Sequence, residues 1–362
     1  MTLNLFDTST LPSNLTVHQK VSILMWLQGE RVIVESWGKG FVDRDGKFVK
    51  EFQSTFHSSL FELYLFALLN AQGMTVDMTR SRPDFLVTAP YPIVIEAVTS
   101  GIRADGRPED KRDFEDVISM FTPPWKSDDF KEHLVESIVR YSNAICKKAL
   151  KYDTSYSNLA WVAADAPYVI ALGSFSQVNY GREYHYAIVA LLFGSMFDAE
   201  TRQNSLVKSI TKPGTESPID LNLFAKEEFR HVSAVLFTCT LTLGKLTSMS
   251  ISAGNPSMNL VTLIRQDYEE PLFKLQEVSM ESPEDLFDGL FVLHNPNAAN
   301  PLPISAFANT NAIHIRQIDG GYSFEGENLP LVARLNLSRA VATPELMRGI
   351  GVEAFMDFND LE

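Results

Sequence analysis

Three acidic residues stand out by type and spacing: Glu62 in FHSSLFELYLF, Asp84 after Pro83 in RPDFLV, and Glu96 in IVIEAVTS. Residues 84–87 and 93–98 read as two short strands, with Ala89-Pro90-Tyr91-Pro92 as the turn between them, because proline presets turn geometry. A hairpin closing symmetrically about residue 90 pairs 84 with 96, 86 with 94 and 88 with 92. Residues directly opposite in an antiparallel pair share a face, with Cβ atoms about 4.5–5.5 Å apart. Two carboxylates that close repel unless a proton or a cation sits between them. Hard divalent cations such as Mg²⁺ take oxygen ligands, one or two of them protein carboxylates, with the rest from water and substrate phosphate. Such an ion activates water and stabilises charge on a phosphate oxygen during hydrolysis. Glu62 would lie on the polar edge of a preceding helix, placed to bind the ion through water or to orient that water.

The elements that must position these groups are legible in the periodicity. Over residues 55–72, Leu60, Phe61, Tyr64, Leu65, Leu68 and Leu69 recur at three- and four-residue spacing and predict a helix ended by Gly73. Leu134, Ile138, Tyr141 and Ile145 predict a second helix over 130–152, and PYVIAL (167–172) reads as a buried strand. Upstream, residues 17–28 predict a helix and 31–37 a strand. Asp-Gly inside FVDRDGKFV (41–49) signals a hairpin. Downstream, residues 184–197 predict a helix, and 232–240 with 246–251 predict a hairpin around Gly244-Lys245. Residues 101–129 are charged and aperiodic, the pattern of a long loop or flap. The fold class expected is α+β, a mixed central sheet flanked by helices. Three segments follow: 1–50 (helix and hairpin), 51–180 (the core carrying the acids) and 181–362 (β-rich, with no function legible).

Composition bounds the function. The chain has 362 residues, with 45% hydrophobic and 21% charged, which excludes disordered, collagen-like and low-complexity classes. Two cysteines, Cys146 and Cys239, cannot form a disulfide scaffold or a four-cysteine zinc site. No apolar run reaches the ~18 residues of a membrane helix, and MTLNLFDTSTLPSN lacks the basic-then-apolar order of a secretory signal. A cytoplasmic location without membrane contact is expected. With 31 basic and 45 acidic residues the net charge is −14, which argues against a protein that coats phosphates generally. A nucleic-acid enzyme with local positive groups remains open. Gly-x-Ser-x-Gly, Gly-Lys-Ser/Thr and His-Glu-x-x-His motifs are absent.

With Glu62, Pro83-Asp84 and Glu96-Ala97-Val98 in a helix, hairpin, helix, strand order, the sequence resembles the PD-(D/E)xK nuclease superfamily over residues 55–175. FVDRDGKFVKEFQSTFHSSLFELYLF and HNPNAANPLP further resemble a family of uncharacterised bacterial proteins that share this core, over most of the chain. The resemblance implies a restriction-endonuclease-like core and Mg²⁺- or Mn²⁺-dependent phosphodiester cleavage, usually of DNA. Asp84 and Glu96 would be the metal ligands, with the Ala97 carbonyl as a third. A role in bacterial defence or restriction follows by analogy alone. The superfamily has a lysine two residues after the second acid, where this chain has Val98. Either the protein is a catalytically silent subunit binding nucleic acid or a partner protein, or another cation fills the site. Lys147, Lys148 and Arg82 are the candidates. Helical arithmetic favours Lys148, which falls near the stripe of Leu134, Tyr141, Ile145 and Tyr152, with Lys147 further round. A second copy or a partner subunit is a further partner class.

Other polar residues have bland readings first. His57 suits a helix's first turn, His185 packing among aromatics, and His294 to Pro303 an irregular turn. Lys111, Arg112, Lys126 and Lys131 alternate with acids, the pattern of a solvated face or of a DNA-contacting flap.

Overall fold

The computed structural model describes residues 3–9, 11–102, 106–111, 116, 122–175, 181–267, 273–318 and 321–355. Among them the helices are α1 (Gln19–Leu24), α2 (Gln28–Trp37), α3 (Phe48–Ser54), α4 (Phe56–Ala71), α5 (Phe130–Lys151), α6 (Tyr186–Phe193), α7 (Leu243–Ser252) and α8 (Pro344–Phe355). The strands are β1 (Thr75–Val76), β2 (Phe85–Ala89), β3 (Ile93–Gly101), β4 (Tyr168–Phe175), β5 (Ser195–Asp198), β6 (Gln203–Leu206), β7 (Ser209–Thr211), β8 (Pro218–Asp220), β9 (Val232–Thr238), β10 (Asn259–Gln266), β11 (Phe273–Glu277), β12 (Phe291–His294), β13 (Ile313–Ile318), β14 (Gly321–Glu325) and β15 (Leu331–Ser338). The protein is α+β with a large mixed sheet. Eight strands run in the order β1-β2-β3-β4-β9-β12-β13-β14. β3, β4 and β9 are parallel, as are β12 and β13, while β2, β12 and β14 run antiparallel to β3, β9 and β13 respectively. Strands from beyond residue 181 thus complete the sheet begun by β1 to β4. A separate antiparallel sheet has the order β11-β10-β15.

Every residue of β4 and β9 is buried, as parallel strands covered on both faces require. One face of the sheet packs on α5 and α6, with Leu134, Ile138, Tyr141 and Ile145 against Val94, Ile170 and Leu172. The other face packs on α4, with Leu60, Phe61 and Leu68 against Ile93, Ile95 and Ala171. Helix α4 is buried more widely than a single stripe, since Leu63 and Phe66 are covered as well. Its neighbours α2 and α3 close the side away from the sheet.

Four local expectations are corrected. Residues 31–37 lie in α2, not a strand: Ile33, Val34 and Trp37 are buried at helical spacing, and that packing outweighs their β propensity. Residues 41–49 form a turn leading into α3 rather than a hairpin, because the Asp43 carboxylate accepts the Lys47 and Phe48 amides, both at 3.1 Å, and folds the chain into the start of that helix. Residues 246–251 lie in α7, which starts where Thr242 Oγ1 accepts the Gly244 amide at 3.1 Å. The 184–197 segment splits into α6 and β5 at Gly194, whose φ of 73° is the left-handed conformation that ends a helix. Of the 101–129 segment, 103–105, 112–115 (including Arg112) and 117–121 lie outside the described residues.

No helix among the described residues is long and apolar enough to cross a membrane. Cys146 and Cys239 are both free thiols.

Helix α4 sits on the sheet where β4 offers Gly173: a Cβ there would lie 3.0 Å from Phe61 Cδ2. Gly173→Val is therefore expected to overpack this contact and cost about 1–3 kcal/mol in urea unfolding. An unchanged midpoint would show that α4 moves away freely.

Candidate active site

The β2–β3 register, Phe85↔Ile95, Leu86↔Val94 and Val87↔Ile93, puts Asp84, one residue before β2, across from Glu96. This is the symmetric closure about residue 90. Glu96 pairs with Ile170 of β4 inside the sheet, and its side chain has no exposed surface. Asp84 is about one-third exposed, and its Oδ2 accepts the Ala97 amide at 2.8 Å. That amide is what the structure records of Ala97 at this site. Arg44, from the turn before α3, donates to the carbonyls of Arg80, Pro83 and Asp84, the last two at 3.3 Å. The approach to β2 is thereby tied down.

The cations come from the last turns of α5. Lys148 Nζ lies 3.1 Å from Glu96 Oε2 and 3.6 Å from Asp84 Oδ2, bridging the two acids. Tyr168 of β4 donates to the Lys148 carbonyl at 2.8 Å and anchors that turn. Lys147 is exposed, with no bond to the acids among the described residues. Arg82 contributes its carbonyl, which accepts from Trp161 Nε1 at 3.2 Å. Val98, two residues on from Glu96, packs on the apolar cluster beneath α5.

Two groups at the site escaped sequence reasoning. Lys151 Nζ lies 2.5 Å from Glu96 Oε1, and the Tyr156 hydroxyl donates to the same oxygen. Lys151 is one helical turn beyond Lys148, so i,i+3 spacing was an available signal. Tyr156 arrives through a π-helical turn, Tyr152–Tyr156, that no periodicity announces.

The electrostatics divide the three acids. Glu96 lies down at about 2: burial opposes its charge, but hydrogen bonds from Lys151 and Tyr156, the Lys148 charge and the contact with Asp84 outweigh it. Asp84 is pushed up to about 7, first by burial and then by the hydrogen bond and charge of Glu96. Glu62 rises to about 8, first by burial and then by the charge of Asp84, with Arg44 and Lys148 opposing. The structure thus brings Glu62, Asp84, Glu96 and Lys148 into one electrostatic unit in which Lys148 and Lys151 meet Glu96 and leave Asp84 and Glu62 with raised pKa values. Hard oxygen donors so placed fit a divalent cation such as Mg²⁺ or Mn²⁺. Asp84 and Glu96 would hold it, and Glu62 would act through water.

A second set of metal-ligating types, His18, His57 and Glu109, has ligand atoms all within 4.8 Å of one another. Here the charge is already balanced. Glu109 pairs with Lys20 and meets His57 Nε2 at 2.9 Å, and His18 Nδ1 accepts the Lys20 amide at 3.1 Å to cap α1. His294 and His314 face each other at 2.9 Å, while the Asn295 side chain donates to the carbonyls of Phe229 and Val232. These bonds tie the start of the His294–Pro303 segment to β13, to β9 and to the helical turn before β9. His185 packs among aromatic rings.

Tyr156→Phe removes one hydrogen bond to a buried charge and is expected to cost about 1.5–3 kcal/mol in chemical denaturation. A loss below a few tenths would show that Glu96 does not depend on that hydroxyl. The pH dependence has a definite sign. Asp84 and Glu62 titrate higher in the folded chain than in the unfolded one, so between about pH 4 and 8 the native state holds the extra protons. In EDTA their contribution makes stability fall as pH rises through that window. Glu96 contributes oppositely, with stability lost as pH drops toward 2. Thermal melts from pH 5 to 8 are expected to show the decline, with Mg²⁺ relieving it and Glu62→Gln flattening it. A wild-type slope identical to that of Glu62→Gln would refute this assignment.

Compared with known proteins, the chain matches no family model, no curated protein and no solved structure.

Proposed function

We propose that the protein is a metal-dependent nuclease hydrolysing phosphodiester bonds, with DNA as the substrate and Mg²⁺ or Mn²⁺ as the cofactor. The observation that carries this reading is one ammonium, Lys148, within 3.1 and 3.6 Å of two carboxylates facing each other across a hairpin. A bound divalent cation would supply Lewis-acid stabilisation of the phosphate and a more acidic water. Asp84 and Glu96 would hold that ion, and the Lys148 ammonium between them would stabilise negative charge building on a phosphate oxygen. Glu62, half-buried beside Asp84, orients the attacking water. The restriction-endonuclease-like core is part of the same proposal. It is supported by the helix, hairpin, helix, strand order of α4, β2–β3, α5 and β4.

A second reading has its own support. Val98 stands where the superfamily carries lysine, and Lys151 and Tyr156 already occupy one Glu96 oxygen. This arrangement suits a silent subunit that binds nucleic acid or a partner protein.

Purified protein incubated with linear, supercoiled and single-stranded DNA plus Mg²⁺ or Mn²⁺ separates the two. The nuclease reading expects cutting by wild type and Lys147→Ala. It expects about a hundredfold or greater loss in Glu96→Ala and in Lys148→Ala, with circular dichroism unchanged. Mg²⁺ binding in calorimetry without any cutting would replace it with the silent-subunit reading.

A further inference from the structure

At the β14 end of the eight-stranded sheet, five strands away from β3, lies a cavity of about 470 Å³ that the proposed reaction does not use. Its size falls within the roughly 300–1,000 Å³ usual for small-molecule sites. Two β-ribbons form its walls. In the first, Gln317 is opposite Tyr322 and Ile315 opposite Phe324, so Gln317, Tyr322 and Phe324 share one face. In the second, Ser195 is opposite Leu206 and Phe197 opposite Asn204, which puts those four on one face. His185, Tyr186 and Phe193, from α6 and its N-terminal cap, line the space together with both ribbons.

The chemistry of this lining is selective. Tyr186 and Phe197 stack with centroids 4.2 Å apart, Tyr322 and Phe324 meet edge to face at 5.4 Å, and Phe324 meets the His185 ring at 4.9 Å. Among this aromatic surface stand three side-chain amides, Asn204, Gln266 and Gln317, each able to donate and accept. Tyr322 lies close to Ser195 and Asn204 across the two ribbons. No Asp, Glu, Lys or Arg lines the cavity among the described residues. His185 is 3% exposed, and burial lowers its pKa to about 3, so it is neutral too.

Two buried atoms of the lining residues, His185 Nδ1 and Gln266 Oε1, have no hydrogen-bond partner among the described residues. Of the eleven buried side-chain atoms without a partner among the described residues, these two belong to the cavity lining and offer it unused hydrogen-bonding capacity. An anion finds no cation among the described lining residues, and an aliphatic ligand would leave the amides unpaired. Flat π-faces beside amide donors and acceptors instead match a flat, uncharged ring system with a polar edge.

We propose that this cavity binds a neutral planar heterocycle with an amide-type hydrogen-bonding edge, the chemical class of the nucleobases. The ring stacks on the aromatic walls, and its edge pairs with Asn204, Gln317 and Gln266. Free nucleosides and a base extruded from a strand share this chemistry. The site is independent of the metal centre and stands whether or not the protein cuts DNA.

The test uses the full chain in EDTA, so that hydrolysis plays no part. Saturation-transfer NMR and calorimetry are run with adenosine, guanosine, cytidine and uridine, with ribose as control. At least one nucleoside is expected to bind with Kd below about 1 mM, and ribose is not. Tyr322→Ala is expected to weaken binding about tenfold or more. The exposed Gln317→Ala keeps the test valid should the first variant unfold, and it is expected to weaken binding about threefold or more. A single-stranded oligonucleotide that competes with the nucleoside, and loses this ability in Gln317→Ala, identifies an extruded base as the source. Competition by nucleosides alone identifies the free compound. Absence of nucleoside binding by folded protein, equal binding of ribose, or binding indifferent to both substitutions would overturn the proposal.

Discussion

A carboxylate with no exposed surface in the middle of a sheet must be neutralised by its neighbours or its charge is lost. Glu96 holds that position on β3, and the effective cost of burying an ion is several kcal/mol. Lys148, Lys151 and Tyr156 meet its two oxygens, so the end of α5 and the turn after it are bound to the centre of the sheet. Asp84 is drawn into the same arrangement through the Ala97 amide and Lys148. Because Glu96 takes most of the available positive charge, Asp84 and Glu62 are left in the unfavourable position that raises their pKa values.

The remaining architecture keeps those groups in place. Arg44 fixes the backbone ahead of β2 from one side. Helix α4, which carries Glu62, is held by Phe61 against Gly173 and by the Tyr64 hydroxyl, which donates to the Leu286 carbonyl at 3.0 Å. That carbonyl belongs to a segment locked by a second buried charge network. Lys245 and Arg334 pair with Glu284, and Arg265 grips Asp288 with bonds of 2.8 and 2.7 Å. The C-terminal half therefore supplies both sheet strands and the ionic anchor behind Glu62, although nothing in its sequence signals chemistry.

Legibility followed the range of the interactions involved. The stripes of α4 and α5, the buried strand β4 and the β2–β3 register all rest on periodicity or on a turn a few residues long, and all are visible in the chain. The misread segments are those where a local signal competes with packing. Val32-Ile33-Val34 favours a strand, but α2 buries Ile33 and Val34 against other helices. The Asp-Gly pair at 45–46 does make a turn, yet the Asp43 carboxylate makes it the entrance of a helix. In the site, spacing along α5 pointed to Lys148, whereas Tyr156 depends on a π-helical turn that leaves no periodic trace.

By itself the sequence determined the facing of Asp84 and Glu96, because proline turn chemistry and alternation along two short strands decide which residues stand opposite. It also determined the helix that brings a lysine back toward them, since apolar spacing sets which face of α5 meets the sheet. Only the tertiary structure decided how the charge is divided among three acids, which oxygen each cation reaches, and that strands from beyond residue 181 complete the sheet. Those outcomes depend on burial and on distances between residues far apart in the chain, and side-chain spacing carries no information about either.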